Sequence, residues 1–253
     1  MQKLKAGLSF MALTVMLFGS FAKAAEQAEP GDLKILVFGA SGKVGVHIVH
    51  EALNRGHQVT AVSRNPSQIT LDNEKLSVVQ GDLLDPVSVA NLVAGQDVIV
   101  ISVRGRVGKS KDPHDTVAFI GACNVVAALR ELGDSAPRLI QVGGSGTLEV
   151  KPGVLYADTL PKIFLPKYLE VEIAGQILTL QYLRSVTDVD WSYITPPKNF
   201  TNGKRTGTYR IGGDQILENS HGRSKISRAD FAVAVIDEAE SAKHVQQRFS
   251  VAY

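Results

Sequence analysis

Residues 34–45 read Lys34-Ile35-Leu36-Val37-Phe38-Gly39-Ala40-Ser41-Gly42-Lys43-Val44-Gly45, and the fold turns on them. Four apolar residues in a row after Lys34 show no alternation, which fits a strand buried on both faces of a parallel sheet. The glycine spacing that follows, G-x-x-G-x-x-G, opens a helix-period segment over residues 44–55 that stops at Gly56. Strand, glycine-rich turn and helix in that order form the context in which such a turn holds a phosphate. Gly39 permits the tight turn, Gly42 lets backbone N–H groups approach a pyrophosphate, and Gly45 lets helix and strand pack closely. Ser41, Lys43 and Val44 complete the expected loop, and the helix N-terminus favours the anion.

Working outward, further strands are expected over 58–63, 76–80, 97–102 and 138–142, with a long helix over 115–132 stopped at Gly133. Strands alternating with helices give an α/β doubly wound parallel sheet, a Rossmann fold, with right-handed crossovers. Beyond the fifth strand, residues 143–166 read as loop-rich, 168–184 as helix, and 191–194 as a short strand ending in Thr195-Pro196-Pro197. A strand over 208–211, a helix over 228–240 and a closing strand over 248–252 follow. These later segments are expected to form a small C-terminal cap over the carboxyl edge of the sheet, where ligands bind in open α/β folds. Residues 34–253 are thus expected to form one dinucleotide-binding domain.

The ends of the strands suggest which dinucleotide. A site selective for NAD(H) places an acidic residue after the second strand, on the ribose 2′-hydroxyl. Here the sequence is Val62-Ser63-Arg64-Asn65-Pro66. Arg64 is placed to pair with a 2′-phosphate and Ser63 to add a hydrogen bond, which favours NADP(H); NAD(H) stays open if Arg64 is only a solvated loop residue. After the third strand, Asp82 and Leu83 are expected at the adenine, and after the fourth, Ser102 and Val103 beside the inner ribose.

Composition bounds the rest. The chain has 253 residues, 44% hydrophobic and 21% charged, an ordinary globular balance. Residues 1–24 read as a secretory signal: Lys3 and Lys5 precede an apolar stretch from Leu8 to Phe21, and Ala22-Lys23-Ala24 supplies the small-x-small cleavage pattern. Cleavage is expected before Ala25, with a linker over 25–33. The apolar stretch is shorter than the ~20 residues that span a bilayer, so no stable membrane insertion is expected after cleavage. The expected location is exported, the periplasm in a bacterial cell, or the cytoplasm if the signal is not used. Setting aside the three leader lysines leaves 24 basic against 25 acidic residues, so no global field points to nucleic acid. Cys123 is the only cysteine and lies in an apolar helical stretch, which excludes an internal disulfide. His47 and His50 share a helix without a carboxylate pattern and read as surface or packing residues, and no metal site is expected.

Together these motifs resemble the atypical short-chain dehydrogenase/reductase superfamily, in particular its NAD(P)H:flavin reductase-like branch, similar to biliverdin-IXβ reductase and to NmrA-like proteins. The resemblance rests on residues 39–45, on Ser63-Arg64-Asn65-Pro66, on 81–85 and on Val142-Gly143-Gly144-Ser145-Gly146-Thr147-Leu148. It also rests on the tail segments 202–214, 226–232 and 247–253. It implies a Rossmann fold and a two-electron NAD(P)H reductase, without fixing the acceptor.

Short-chain enzymes commonly use a Tyr-x-x-x-Lys pair, in which lysine favours the tyrosinate. The nearest match is Tyr168-Leu169-Glu170-Val171-Glu172, where a carboxylate stands in the lysine position and opposes that ionisation. Tyr168 therefore reads as a structural helix residue. Flavins and quinones need less acid assistance, because the protein mainly has to stack the acceptor on the nicotinamide. In the family pattern Gly143, Gly144 and Ser145 line the floor of the cleft. Ser145 is the catalytic candidate, to hydrogen-bond the acceptor or the nicotinamide amide, with loop capping as the competing role. Pro196 and Pro197 are expected to fix the loop beside the nicotinamide, and Lys204, Arg205 and Arg210 read first as a solvated charged loop. Two functions stay open: a reductase of a small-molecule acceptor, flavin or quinone-like, and a non-catalytic sensor of dinucleotide redox state.

Overall fold

The computed structural model describes residues 33–253. The expected leader, its cleavage junction and all but the last residue of the linker lie outside the described residues. Along the chain come β1 (Lys34–Phe38), α1 (Gly45–Asn54), β2 (Gln58–Ser63), β3 (Leu76–Gln80), α2 (Pro86–Val93), β4 (Val98–Ile101), α3 (Val117–Leu132) and β5 (Arg138–Val142). Then follow β6 (Glu149–Lys151), β7 (Val154–Leu155), α4 (Tyr156–Thr159), α5 (Lys167–Ser185), β8 (Trp191–Thr195) and β9 (Asn199–Thr201). The chain closes with β10 (Arg210–Gly212), β11 (Lys225–Ser227), α6 (Arg228–Ser241) and β12 (Gln247–Ala252).

Eight strands form one sheet in the order β10-β12-β8-β5-β4-β1-β2-β3. All pairs in it are parallel except β10 with β12. The reversal of strand order beside β1 is the topological switch point of a doubly wound sheet.

Burial explains why β1 reads as an unbroken apolar run. Ile35 and Val37 belong to the core beneath α1 and α6, while Leu36 and Phe38 belong to the core beneath α2, α3 and α5. Successive side chains point to opposite faces, so a strand covered on both sides must be apolar throughout. Each such side chain contributes about 1.5–3 kcal/mol on leaving water.

Three elements depart from the sequence reading. The helix α2 was not expected; Asp85 caps it by accepting from Val87 N–H at 3.0 Å, with Pro86 in its first turn. The stretch 143–166 holds the β6–β7 hairpin and α4 as well as loop. The expected cap divides: β8, β12 and β10 extend the main sheet, and only the parallel pair β9–β11 and the β6–β7 hairpin stand apart from it.

Candidate functional site

The loop after β1 is built from contacts that only glycine allows. Gly39 has φ +79°, and a Cβ there would lie 2.4 Å from the Ser102 carbonyl oxygen and 2.9 Å from Val103. Two segments expected at the site, 39–45 and 102–103, are therefore in direct contact. A Cβ on Gly45 would meet the Gly39 oxygen at 2.1 Å, so strand end and helix start touch backbone to backbone. Gly42 N–H donates to Gly39 O at 2.9 Å, closing the turn. Among the described residues, the N–H groups of Lys43, Val44 and Gly45 find no backbone acceptor, and the first turn of α1 carries no acidic residue. Unpaired N–H groups at the positive end of a helix are the donors a pyrophosphate needs, so this loop fits a dinucleotide.

Ala40 N–H donates to Val62 O at 3.3 Å, tying the loop to the end of β2. Ser63 is buried, and its hydroxyl is already committed: it donates to Asn65 O at 3.0 Å, accepts from Asn65 N–H at 3.1 Å and lies 3.2 Å from the Ser41 hydroxyl. Ser63 thus shapes the turn that presents Arg64. Arg64 is exposed, and its guanidinium makes no ion pair or hydrogen bond among the described residues. Lys43, on the loop itself, is likewise exposed and unpaired among them.

After β3, one oxygen of Asp82 accepts from Leu84 N–H at 2.9 Å, and the Asp82 N–H donates to Ser88 Oγ at 3.1 Å. The Leu83 side chain is buried against Gly121, and its carbonyl accepts from Asn124 Nδ2 at 3.0 Å. Only its backbone N–H is left for a ligand.

The ends of β5 and β8 form the other half of the site. Gly143 N–H donates to Ile194 O at 2.8 Å, and a Cβ on Gly143 would sit 2.1 Å from the Tyr193 ring. The glycine floor therefore rests directly on a tyrosine. Burial holds the Tyr193 phenol well above its ordinary range, so it stays protonated and donates to Gln176 Oε1 at 2.9 Å. Thr147 Oγ1 donates to Gly144 O at 2.8 Å and fixes the turn over Ser145–Thr147. Ser145 caps nothing: it is half-buried, and its hydroxyl makes no hydrogen bond among the described residues. In the β5–β8 register Val142 pairs with Ile194, so β5 ends just before Gly143 while β8 ends just before the buried Pro196.

Tyr168 is 46% exposed at the start of α5. Glu172, in the position a lysine would occupy, accepts from Arg104 Nη2 at 2.9 Å and Nε at 3.1 Å. The helix thus offers a carboxylate–guanidinium pair in place of a tyrosine–lysine pair. Of the three later cations, Arg205 is bound to Glu51 of α1, at 2.7 and 2.8 Å. Arg210 donates through Nη2 to the Glu218 and Tyr253 oxygens, and Lys204 is exposed with no ion pair among the described residues. Sequence reading missed the loop that leaves β4, Arg104-Gly105-Arg106-Val107-Gly108-Lys109-Ser110-Lys111, though four cations in eight residues without a carboxylate were visible.

A doubly wound sheet with a glycine-rich phosphate loop at its switch point and a second glycine floor two strands away defines a nucleotide-binding protein of Rossmann type. The comparisons agree. The chain belongs to the NAD(P)H-binding family, whose model matches residues 39–242. It is 32% identical to the uncharacterized protein YwnB of Bacillus subtilis (strain 168) over 224 residues, 87% of this chain and 98% of that one. A “putative epimerase” of Bacteroides thetaiotaomicron superposes with a TM-score of 0.77 at 31% identity, covering 88% of this chain and 97% of its own. A “putative NADH-flavin reductase” of Streptococcus pneumoniae TIGR4 superposes with a TM-score of 0.72 at 26% identity, covering 87% and 99%.

Proposed function

We propose that the protein is an NADPH-dependent reductase of a flavin or quinone-like acceptor. The observation that carries this reading is the pairing of a phosphate-type loop with an α5 in which, among the described residues, the lysine position after Tyr168 is taken by Glu172, held by Arg104. When bound, NADPH supplies a hydride to the acceptor, which takes its proton from water. The chain's own part is then positional. The N–H groups of 43–45 hold the pyrophosphate, and Arg64 takes the 2′-phosphate. Asp82, Ser102 and Val103 flank the sugars and adenine, and Gly143, Gly144 and Pro196 leave a flat floor on which two rings stack. The unpartnered Ser145 hydroxyl orients the acceptor or the nicotinamide amide. The similarity to the Streptococcus protein supports the flavin reading.

The test is the fall of NADPH absorbance with FMN, riboflavin or a small quinone. Turnover with at least one is expected. NADPH binding without turnover of any of them would favour the redox-sensor reading. For the choice of dinucleotide, Arg64→Ala is expected to weaken NADPH binding by about 1.5–3 kcal/mol, the range for a hydrogen bond to a charged group. NADH binding should scarcely change, and equal losses for both would remove Arg64 from the 2′-phosphate.

A further inference from the structure

We propose that the face of the sheet beneath α5 encloses a site for a small monovalent anion of halide type, held by Arg248 together with the hydroxyls of Thr195 and Ser250. The proposal is independent of the reductase reading. Strand register brings the three residues together: Arg248 lies opposite Tyr193, and Ser250 opposite Thr195, in adjacent rows of the β8–β12 pair. Alternation along each strand then fixes their face. Ile194, Phe249 and Val251 join the core beneath α1 and α6, whereas Trp191 and Tyr193 join the core beneath α2, α3 and α5. Thr195, Arg248 and Ser250 therefore share the second face with Tyr193. Gly143, which donates to Ile194 O at 2.8 Å, stands on the neighbouring strand's end.

This patch is polar inside the fold, and it is not paired. Thr195 Oγ1, Ser250 Oγ and Arg248 Nη1 are buried and make no hydrogen bond among the described residues. Buried polar groups are costly to leave without a partner, so a bound species that accepts from them is expected. Charge decides which species. Nε and Nη2 of Arg248 both turn to Oδ1 of Asp214, Nε at 2.6 Å, and the same oxygen accepts from Arg184 Nη2 at 2.6 Å. Two guanidinium groups thus share one carboxylate, and no other carboxylate pairs with Arg248 among the described residues. The Arg184 and Asp214 side chains are about half exposed and screened by water, whereas the Arg248 side chain is 1% exposed. Burial outweighs the attraction of Asp214 and draws the Arg248 guanidinium below its ordinary range. Tyr193 supplies no counter-charge, since burial keeps its phenol protonated. A water molecule satisfies the donors and leaves the charge; a halide answers both.

The test compares the thermal midpoint of the purified protein in sodium chloride, sodium bromide and sodium gluconate at equal ionic strength, gluconate being too large to enter. Chloride and bromide are expected to raise the midpoint by about 2–4 °C over gluconate, with a saturating dependence on concentration. Thr195→Val/Ser250→Ala removes both hydroxyls with little change of shape, and should shrink that rise to under about 1 °C. Its midpoint in gluconate should stay close to that of the wild type, because neither hydroxyl has a protein partner to lose. Crystals grown in bromide give a second readout, with an anomalous peak expected against Arg248 Nη1 and the two hydroxyls. Equal wild-type midpoints in the three salts overturn the proposal. So does a chloride rise of the same size in the double variant, which marks a general salt effect, and so does a bromide crystal that holds only water beside Arg248. A fall of more than about 4 °C for the variant in gluconate overturns it as well, since the hydroxyls then bond within the protein.

Discussion

Replacing Gly42 by aspartate is expected to weaken NADPH binding by about a hundredfold or more, roughly 3 kcal/mol, while leaving the fold in place. Gly42 has no positive φ, and a Cβ there would lie 3.0 Å from the Gly39 oxygen and 3.9 Å from the Ser102 oxygen, tight but tolerable. The same substitution at Gly45 would drive a Cβ to 2.1 Å from backbone and test folding instead. At Gly42 the new carboxylate stands at the entrance to the unpaired N–H groups of 43–45 and at the positive end of α1, where it both repels the pyrophosphate and competes for its donors. NADPH titration by nucleotide fluorescence, with a thermal midpoint as control, checks it. Undiminished affinity in a folded variant would remove the loop from the dinucleotide site, and with it the reductase reading.

This half of the site could be read from sequence because its information is local. The strand, the glycine spacing and the helix lie within residues 34–54, and the strand's burial on both faces leaves a visible apolar run. The helix α2 was passed over because its eight residues are too few for a clear period, although Asp85-Pro86 carried the signal of a capped start. Other features depend on partners far apart in the chain. Glu172 was legible as the wrong residue for a proton-donor pair, but its partner Arg104 is brought to it only by the fold. Ser63 was legible as a residue at the end of β2, but not that its hydroxyl braces Asn65, since a hydroxyl's commitments are set by neighbours the sequence does not place. Arg205, free on paper, meets Glu51 from the other end of the domain.

The tail motifs, by contrast, owe their coherence to one buried carboxylate, and Asp230→Asn is expected to cost about 3 kcal/mol, roughly 10 °C in thermal midpoint for a domain of this size. Asp230 is fully buried in the first turn of α6. Its Oδ1 accepts from Thr206 N–H at 2.7 Å and Gly207 N–H at 2.8 Å; its Oδ2 accepts from Thr206 Oγ1 at 2.9 Å, Tyr253 Oη at 2.5 Å and Ser227 Oγ at 3.1 Å. The three tail segments 202–214, 226–232 and 247–253 therefore meet at a single side chain. Both oxygens face donors, so an amide of the same shape must turn its NH2 group against one set, leaving buried donors unpaired. Burial alone would raise the pKa of Asp230, but the hydrogen bonds from Tyr253, Gly207 and Thr206 outweigh it and hold the carboxyl below its usual range. With the folded value depressed, the stabilisation is complete above the unfolded carboxylate range, near pH 4, and is lost as pH falls from there through the lower folded value. The gap in midpoint between wild type and Asp230→Asn should accordingly hold from pH 7 to about pH 5 and narrow below about pH 4. Thermal unfolding of both proteins across that range decides it: a gap that stays constant into acid would mean that the loss comes from misfitted shape, and that the charge of Asp230 does not hold the tail together.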